Sequence, residues 1–286
     1  MLIRLPRQTY AIGDRFHNLL MSDLHLGSSS FDEKSFMDDL AWAREAKARI
    51  MIAGDVFDLI LPSDSQRYNP SAVHPDLRGS PTPMNDLIPY AAEKLSSVVN
   101  LIDMIGVGNH DVAGIKYHNA DPVAMLLERL NGIRTAKHPI AHGAYTGAVV
   151  QTFRRTTGAG ASWNTYYHHG YGGESPSTRG ILNLNRLSQF VDRADVVWMG
   201  HKHHRYVIDD RVTVIPPYGQ KLISKQRWLV QSASYRKPAM DDQMDSKKRY
   251  TPQYEVQGGM IPKPNGGIRF LLTMANNAEI SSQVLL

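Results

Sequence analysis

Four times in this chain a short apolar run is followed at once by a cluster of aspartate, histidine or asparagine. Leu19-Leu20-Met21-Ser22 precedes Asp23-Leu24-His25, and residues 49–53 (RIMIA) precede Gly54-Asp55-Val56-Phe57-Asp58. Residues 104–107 (MIGV) precede Gly108-Asn109-His110-Asp111, and residues 196–199 (VVWM) precede Gly200-His201-Lys202-His203. Short apolar runs bounded by turn residues read as buried strands. Burying these polar groups separately would leave them unpaired at about 1–3 kcal/mol each, so the four strand ends are expected to meet. In α/β sheets such a meeting place lies outside the carboxyl ends of the strands.

The segments between the motifs set the fold class. Residues 36–49, 85–100 and 121–130 carry helical spacing, the second with Asn85 as N-cap and an early break at Pro89, the third with Pro122 in its first turn. Strand, helix, strand, helix in the first half argues for a layered α/β domain. The second half is richer in strands: 144–153, 165–168, 196–199, 211–216 and 228–234, with one helix over about 181–193. Residues 266–286 read as two strands around Ala275-Asn276-Asn277. The expectation is a single domain over 1–286, a central sandwich of two mixed sheets covered by helices.

Two stretches lack periodicity. Residues 61–84 carry five prolines, and a loop that long in a compact domain is functional or disordered. It follows Asp58, so it is expected to border the site and to offer Arg67, Tyr68 and Arg78 to an anionic substrate. Residues 235–257 are charged and polar and are placed on the surface, at the start of a C-terminal segment (235–286) that ends in the closing strands.

Composition narrows the chemistry. The chain has no cysteine, which excludes disulfides, thiolate metal sites and a cysteine nucleophile, and fits a reducing, cytoplasmic setting. A metal would have to be held by histidine, carboxylate and amide groups. No apolar stretch approaches the roughly 20 residues that span a bilayer, and no secretory signal is recognised, so no membrane partner is expected. The net charge of +5 and pI of 9.3 favour anionic substrates weakly.

Each motif has a chemical reason. In an extended segment, residues i and i+2 point the same way, so Asp23 and His25 can grip one ion, as can His201 and His203. Asp55 has two carboxylate oxygens and can bridge two cations, and Gly54 before it permits a sharp turn. Asn109 offers a neutral oxygen; His110 beside it is free for acid–base work. A further pair, His168-His169, follows a strand-like run and precedes Gly170.

The set DLH, GDVFD, GNHD, HH and GHKH, in that order, resembles the signature of the calcineurin-like metallophosphoesterase superfamily, from Asp23 to His203; residues 204–286 carry no matching motif. The resemblance implies a four-layer α-β-β-α sandwich. It implies one divalent ion held by Asp23, His25, Asp55 and His203, and a second held by Asp55, Asn109, His201 and one histidine of the pair. The spacing to the following glycine favours His168, with His169 left open. His110 would contact the scissile phosphate or protonate the leaving oxygen, and Asp58 would orient His110. Manganese is taken first as the metal, with iron or zinc as alternatives.

The chemistry follows from the ligands. A carboxylate bridge holds two cations about 3.5–4 Å apart, and a water between them loses its proton near neutral pH and attacks phosphorus in line. A phosphoester is the expected substrate, a phosphodiester of a nucleotide or similar small molecule being favoured. A nuclease acting on DNA or RNA is the alternative, and a catalytically silent metal-binding scaffold the third reading; intact His110 and Asp58 speak against the scaffold. The other histidines, 17, 74, 118, 138 and 142, lack partners at ligand spacing and read as structural or surface groups. His204 is placed behind the ligands or at the surface, and Tyr166 and Tyr167 in packing.

Overall fold

The apolar runs before the motifs become strands, and the amphipathic stretches between them become helices. In the computed structural model, residues 1–59, 68, 70–156, 158, 160–173, 175, 177–215, 221–237, 243–244, 250–251, 263–276 and 279–285 are described. In chain order the elements are β1 (Leu2–Arg4), β2 (Gln8–Tyr10), β3 (Arg15–Met21), α1 (Glu33–Ala46), β4 (Arg49–Ala53), α2 (Pro83–Ser96), β5 (Ile102–Gly106), α3 (Asn109–His118), α4 (Pro122–Ile133) and β6 (Ala141–His142). There follow β7 (Thr146–Arg155), β8 (Gly160–His168), α5 (Ile181–Gln189), β9 (Val196–Met199), β10 (Tyr206–Val214), β11 (Ile223–Gln231), β12 (Gln243–Met244), β13 (Tyr250–Thr251), β14 (Ile268–Met274) and β15 (Ile280–Leu285).

Six strands form one mixed sheet in the order β15-β14-β3-β4-β5-β6, in which β3 through β6 run parallel. A second mixed sheet runs β1-β7-β8-β9-β11-β10, with β2 also pairing β7. The sheets pack face to face: Leu20, Met51, Met104 and Phe270 of the first meet Phe153, Trp163, Tyr167 and Trp198 of the second. The other face of the first sheet, Leu19, Ile50, Ile52, Ile102 and Ile105, is covered by Phe36 and Leu40 of α1, Leu87 and Leu95 of α2, and Val123 and Leu130 of α4. Leu184 and Leu187 of α5 cover Val197, Met199 and Leu229 on the second sheet. This is the expected four-layer α-β-β-α sandwich. Successive residues such as Leu19 and Leu20, or Ile50 and Met51, go to opposite faces, and both faces are covered. That is why these strands read as unbroken apolar runs rather than as alternation.

Two buried polar links tie distant parts together. Asn18 of β3 and Gln151 of β7 exchange hydrogen bonds of 2.7 and 3.0 Å between the sheets. Asp39 of α1, itself buried, accepts from Tyr235 Oη at 2.6 Å, Gly267 N at 2.8 Å and Arg269 at 3.0 and 2.7 Å.

Several expectations need correction. Helix α2 starts at Pro83 after Thr82, not at Asn85, and runs on through Pro89. The carbonyl that Pro89 leaves without its helical partner belongs to Asn85, which is exposed to water. Helix α3 grows out of the GNHD motif itself, where no helix was expected. Strands β1 and β2 were not anticipated, and β10 begins at Tyr206 rather than 211. Tyr235 is fully buried, packed edge-on to Phe36, so the segment it opens does not start at the surface.

Of the stretch 61–84, residues 60–67 and 69, and with them Arg67, lie outside the described residues. Its described part holds two short 3₁₀ turns, Pro70–Ala72 and Pro75–Leu77. They are tied to the loop after Asp23-Leu24-His25 by Ser29 N to Ala72 O at 2.8 Å and His74 N to Gly27 O at 2.7 Å. Arg78 is exposed and donates to the Val73 carbonyl at 3.2 Å. Among the described residues no helix is long and apolar enough to cross a membrane.

Candidate metal centre

Strands β3, β4 and β5 of one sheet and β8 and β9 of the other deliver the motifs at their carboxyl ends. Three overlapping groups of ligand-type side chains lie there: Asp23, His25 and His203; His25, Asp55 and His110; and Asp55, His169 and His201. Asp55 belongs to two of them. Its Oδ2 is 4.0 Å from His25 Nε2 on one side and 3.3 Å from His169 Nε2 on the other. Its Oδ1 accepts the His110 N–H at 2.9 Å, which fixes the carboxylate.

The loops are brought together by glycines with no room for a side chain. A Cβ on Gly108 would stand 2.1 Å from Asp55 Oδ1, and one on Gly54 2.5 Å from Gly108 N. Gly54 also has φ +88°, which only glycine adopts freely.

The extended geometry expected for Asp23-Leu24-His25 and His201-Lys202-His203 does not occur. Strand β3 stops at Met21, and Asp23, His25, Asp55, His201 and His203 all have left-handed backbones, with φ of 54°, 50°, 47°, 71° and 57°. Non-glycine residues rarely adopt this conformation, which costs about 1–3 kcal/mol each and gathers at functional sites. Its effect here is to send His201 and His203 different ways: His201 joins Asp55 and His169, while His203 joins Asp23 and His25. His203 Nε2 is 3.3 Å from Asp23 Oδ1 and 3.2 Å from His25 Nε2.

Of the histidine pair, the structure brings in His169 and not His168. His169 is fully buried, with Nε2 3.1 Å from Asn109 Oδ1 and Nδ1 2.9 Å from the Ala53 carbonyl. His168, the last residue of β8, faces the other way; its Nδ1 accepts Gly170 N–H at 2.9 Å and its ring lies against Tyr145 and Tyr171. Strand parity is the reason. Trp163, Thr165, Tyr167 and His169 are all buried, and His168 falls on the opposite face.

His110 Nδ1 is 3.0 Å from Asp58 Oδ1. Burial pushes the Asp58 carboxyl up, but the His110 and His25 imidazoles beside it, at 3.0 and 3.8 Å, hold it well below the usual carboxylate range. Burial pulls the His110 imidazole down, but Asp58 and the charge of Asp55 raise it overall. For His169 burial is likewise outweighed, mainly by Asp55, and the ring is raised to about 9. His25 goes the other way: burial, against the pull of Asp58, takes it down to about 4. Burial raises the Asp23 carboxyl, yet the hydrogen bond and charge of His203 bring it to about 2.

Supporting residues were missed in the sequence. Asp111, fully buried, accepts Gly108 N at 2.8 Å, Val56 N at 3.2 Å and Phe57 N at 3.1 Å, so it locks the start of α3 to the Asp55 loop. Burial and the Asp55 charge raise its pKa to about 7. Asp23 is held by Ser22 Oγ and by His201 N at 2.9 Å. Ser22 in turn meets Ser232 Oγ at 2.7 Å, which takes Trp198 Nε1–H at 2.9 Å. Lys202, between the two histidines, is buried and donates to Gly173 O at 2.7 Å and to Gly172 O. His204 is buried beside Tyr206, not exposed.

By sequence, the chain matches no family model and no curated protein. Among solved structures it is similar to GAP50, the anchor in the inner membrane complex of Plasmodium, at 9% identity, over 95% of this chain and 84% of that one, with a TM-score of 0.47. It is also similar to the calcineurin-like phosphoesterase YfkN from Bacillus subtilis at 11% identity, over 96% of this chain and 90% of that one, with a TM-score of 0.34. At such distances the site has to be read from its own residues.

Proposed function

We propose that the chain is a dinuclear-metal phosphoester hydrolase of the calcineurin-like type. The observation that carries this reading is Asp55: one buried carboxylate reaching two separate histidine groups, His25 on one side and His169 with His201 on the other. A structural ion pair needs one partner for such an aspartate. Imidazole nitrogens on both sides of it suit cations on either side.

The donor set fits divalent ions. It is all oxygen and nitrogen, with imidazole and carboxylate ligands that suit manganese, iron or zinc. His25 Nε2 and His203 Nε2 face each other at 3.2 Å, and His25 Nδ1 is buried without a hydrogen-bond partner among the described residues. Asp23, His25, Asp55 and His203 would hold one ion, and Asp55, Asn109, His169 and His201 the other. Such a pair supplies Lewis acidity and an activated water for in-line attack on phosphorus.

The remaining steps belong to the chain's own side chains. Asp58 stays ionised and holds His110 by Nδ1, so Nε2 is the nitrogen presented outward. The pull of Asp58 and Asp55 on His110 favours its protonated form, which suits donation to a leaving alkoxide. His110 is partly exposed while Asp58 is nearly enclosed, which suits a donor at the mouth and an orienting group behind it. The described part of the 61–84 stretch, packed against the loop after His25, would form one wall of the cleft and act on specificity.

The favoured substrate is a phosphodiester of a nucleotide or a similar small molecule. The test is a panel with manganese: a chromogenic diester, the matching monoester, cyclic nucleotides, and single- and double-stranded DNA. Diester turnover abolished by chelation is expected. Cleavage of DNA in preference to small esters would establish a nuclease instead, and bound metal with no turnover a scaffold.

A further inference from the structure

At the amino ends of β4 and β5, the end of the strands away from the metal centre, a cavity of about 540 Å³ opens beside β1. Its lining includes five cationic side chains, Arg4, Lys47, Arg49, Arg134 and Lys137, against one carboxylate, Asp103. That carboxylate is already committed: Arg49 holds it through two hydrogen bonds of 2.6 Å. The Arg134 guanidinium donates through Nε to the His138 carbonyl at 2.7 Å and through Nη1 to the carbonyls of Ile102, at 2.7 Å, and Val99, contacts that do not neutralise its charge. Arg4, Lys47 and Lys137 are exposed at the rim and make no ion pair among the described residues. With Asp103 paired to Arg49, four cations of the concave surface are left without a counter-charge in the lining, in a protein whose whole net charge is only +5. Gln8, also in the lining, has a buried side-chain oxygen with no hydrogen-bond partner among the described residues.

We propose that this cavity binds a small phosphate-type anion, at a site separate from the metal centre. Lys47, Lys137 and Arg4 meet the anionic oxygens from the rim, and Arg134 supplies fixed positive charge at the wall. A hydrogen phosphate group carries both acceptor oxygens and one P–OH donor, and the donor is what the Gln8 oxygen lacks. Compact cations on a concave wall favour a compact ligand of high charge density over a long chain laid across a flat face.

Calorimetric titration of the full chain with inorganic pyrophosphate tests this. The comparison is with the Arg4→Gln, Lys47→Gln, Lys137→Gln triple variant and with His203→Ala at the metal centre. All three residues of the triple variant are exposed, and thermal unfolding checks that it folds as wild type does. One-to-one binding is expected, weakened about tenfold or more in the triple variant and unchanged in His203→Ala, the order three exposed charge contacts supply. Gln8→Leu is a second, uncharged variant and should weaken binding without altering net charge. No binding by wild type, equal binding by wild type and triple variant, or loss confined to His203→Ala would each overturn the proposal. So would binding of a single-stranded oligonucleotide, but not of pyrophosphate, that depends on the same three cations.

Discussion

His110 Nδ1 lies 3.0 Å from Asp58 Oδ1, which leaves Nε2 as the ring nitrogen turned away from that carboxylate. On the proposed mechanism, Nε2 is the proton donor. His110→Ala should lower turnover by about 10²–10⁴-fold, the usual worth of a general acid. The loss should be larger for poor leaving groups than for a nitrophenyl ester, whose anion needs no proton. Asp58→Asn should give a milder loss of the same pattern, because the imidazole remains but is no longer held or charge-stabilised. His110 also lies within ligand reach of His25 and Asp55, so metal content is the deciding control. Both ions retained in His110→Ala supports the acid; release of metal assigns His110 as a ligand.

The two adjacent histidines should behave differently. His169 Nε2 stands 3.3 Å from Asp55 and 3.1 Å from Asn109, whereas His168 is occupied with Gly170 N and two tyrosine rings. His169→Ala should release one of two ions, measured by elemental analysis after gel filtration, and lower activity in proportion. His168→Ala should keep both. Equal metal loss in the two variants would mean that the strand parity placing His169 inward is not what positions the ligand.

Asp55→Asn should weaken both ions together, because one side chain reaches both groups. The neutral amide keeps the shape but loses the charge and one acceptor. Titration of metal into the stripped variant should show both steps shifted, whereas Asp23→Asn should shift one. Wild type that never exceeds one ion per chain would rule out the two-metal reading.

What the sequence made legible was the strand ends; what it hid was the backbone between them. The runs 49–53 and 196–199 are strands with the expected bounds because apolar residues on both faces leave them no other role. The left-handed turns at Asp23, His25, His201 and His203 leave no local mark, since aspartate and histidine are far more often found at negative φ. His169 was within reach: Trp163, Thr165 and Tyr167 mark the buried parity of β8, and extending it one step reaches His169. The Ser22–Ser232 contact joins residues 210 apart and leaves no local trace. Tyr235 is a single buried aromatic at the head of a charged and polar run, so local composition hides it. Strands β1 and β2, three residues each, are too short to carry a period.

The link between Asp39 and the C-terminal segment should govern stability rather than catalysis. Asp39 sits on the buried face of α1 and accepts four hydrogen bonds, from the Tyr235 hydroxyl, the Gly267 amide and two nitrogens of Arg269. Arg269 also lies over the Trp42 ring, 4.9 Å from its centroid. Asp39→Ala removes the acceptor and leaves a buried hydroxyl and amide unpaired beside a cation without its partner. A buried pair broken on one side costs about 3–5 kcal/mol, and the partial exposure of Arg269 places the expected loss near the lower end. Tyr235→Phe removes only one donor, and Asp39 keeps its other three bonds, so about 1 kcal/mol is expected. Urea unfolding followed by tryptophan emission measures both, with Trp42 reporting directly on Arg269. Asp39→Ala should keep turnover per folded molecule near wild type, since Asp39 touches none of the ligand groups. A loss in Tyr235→Phe as large as in Asp39→Ala would show that the phenol, through the Tyr235 backbone bond to the Asp23 carbonyl at 3.0 Å, and not the carboxylate, holds this face of the site.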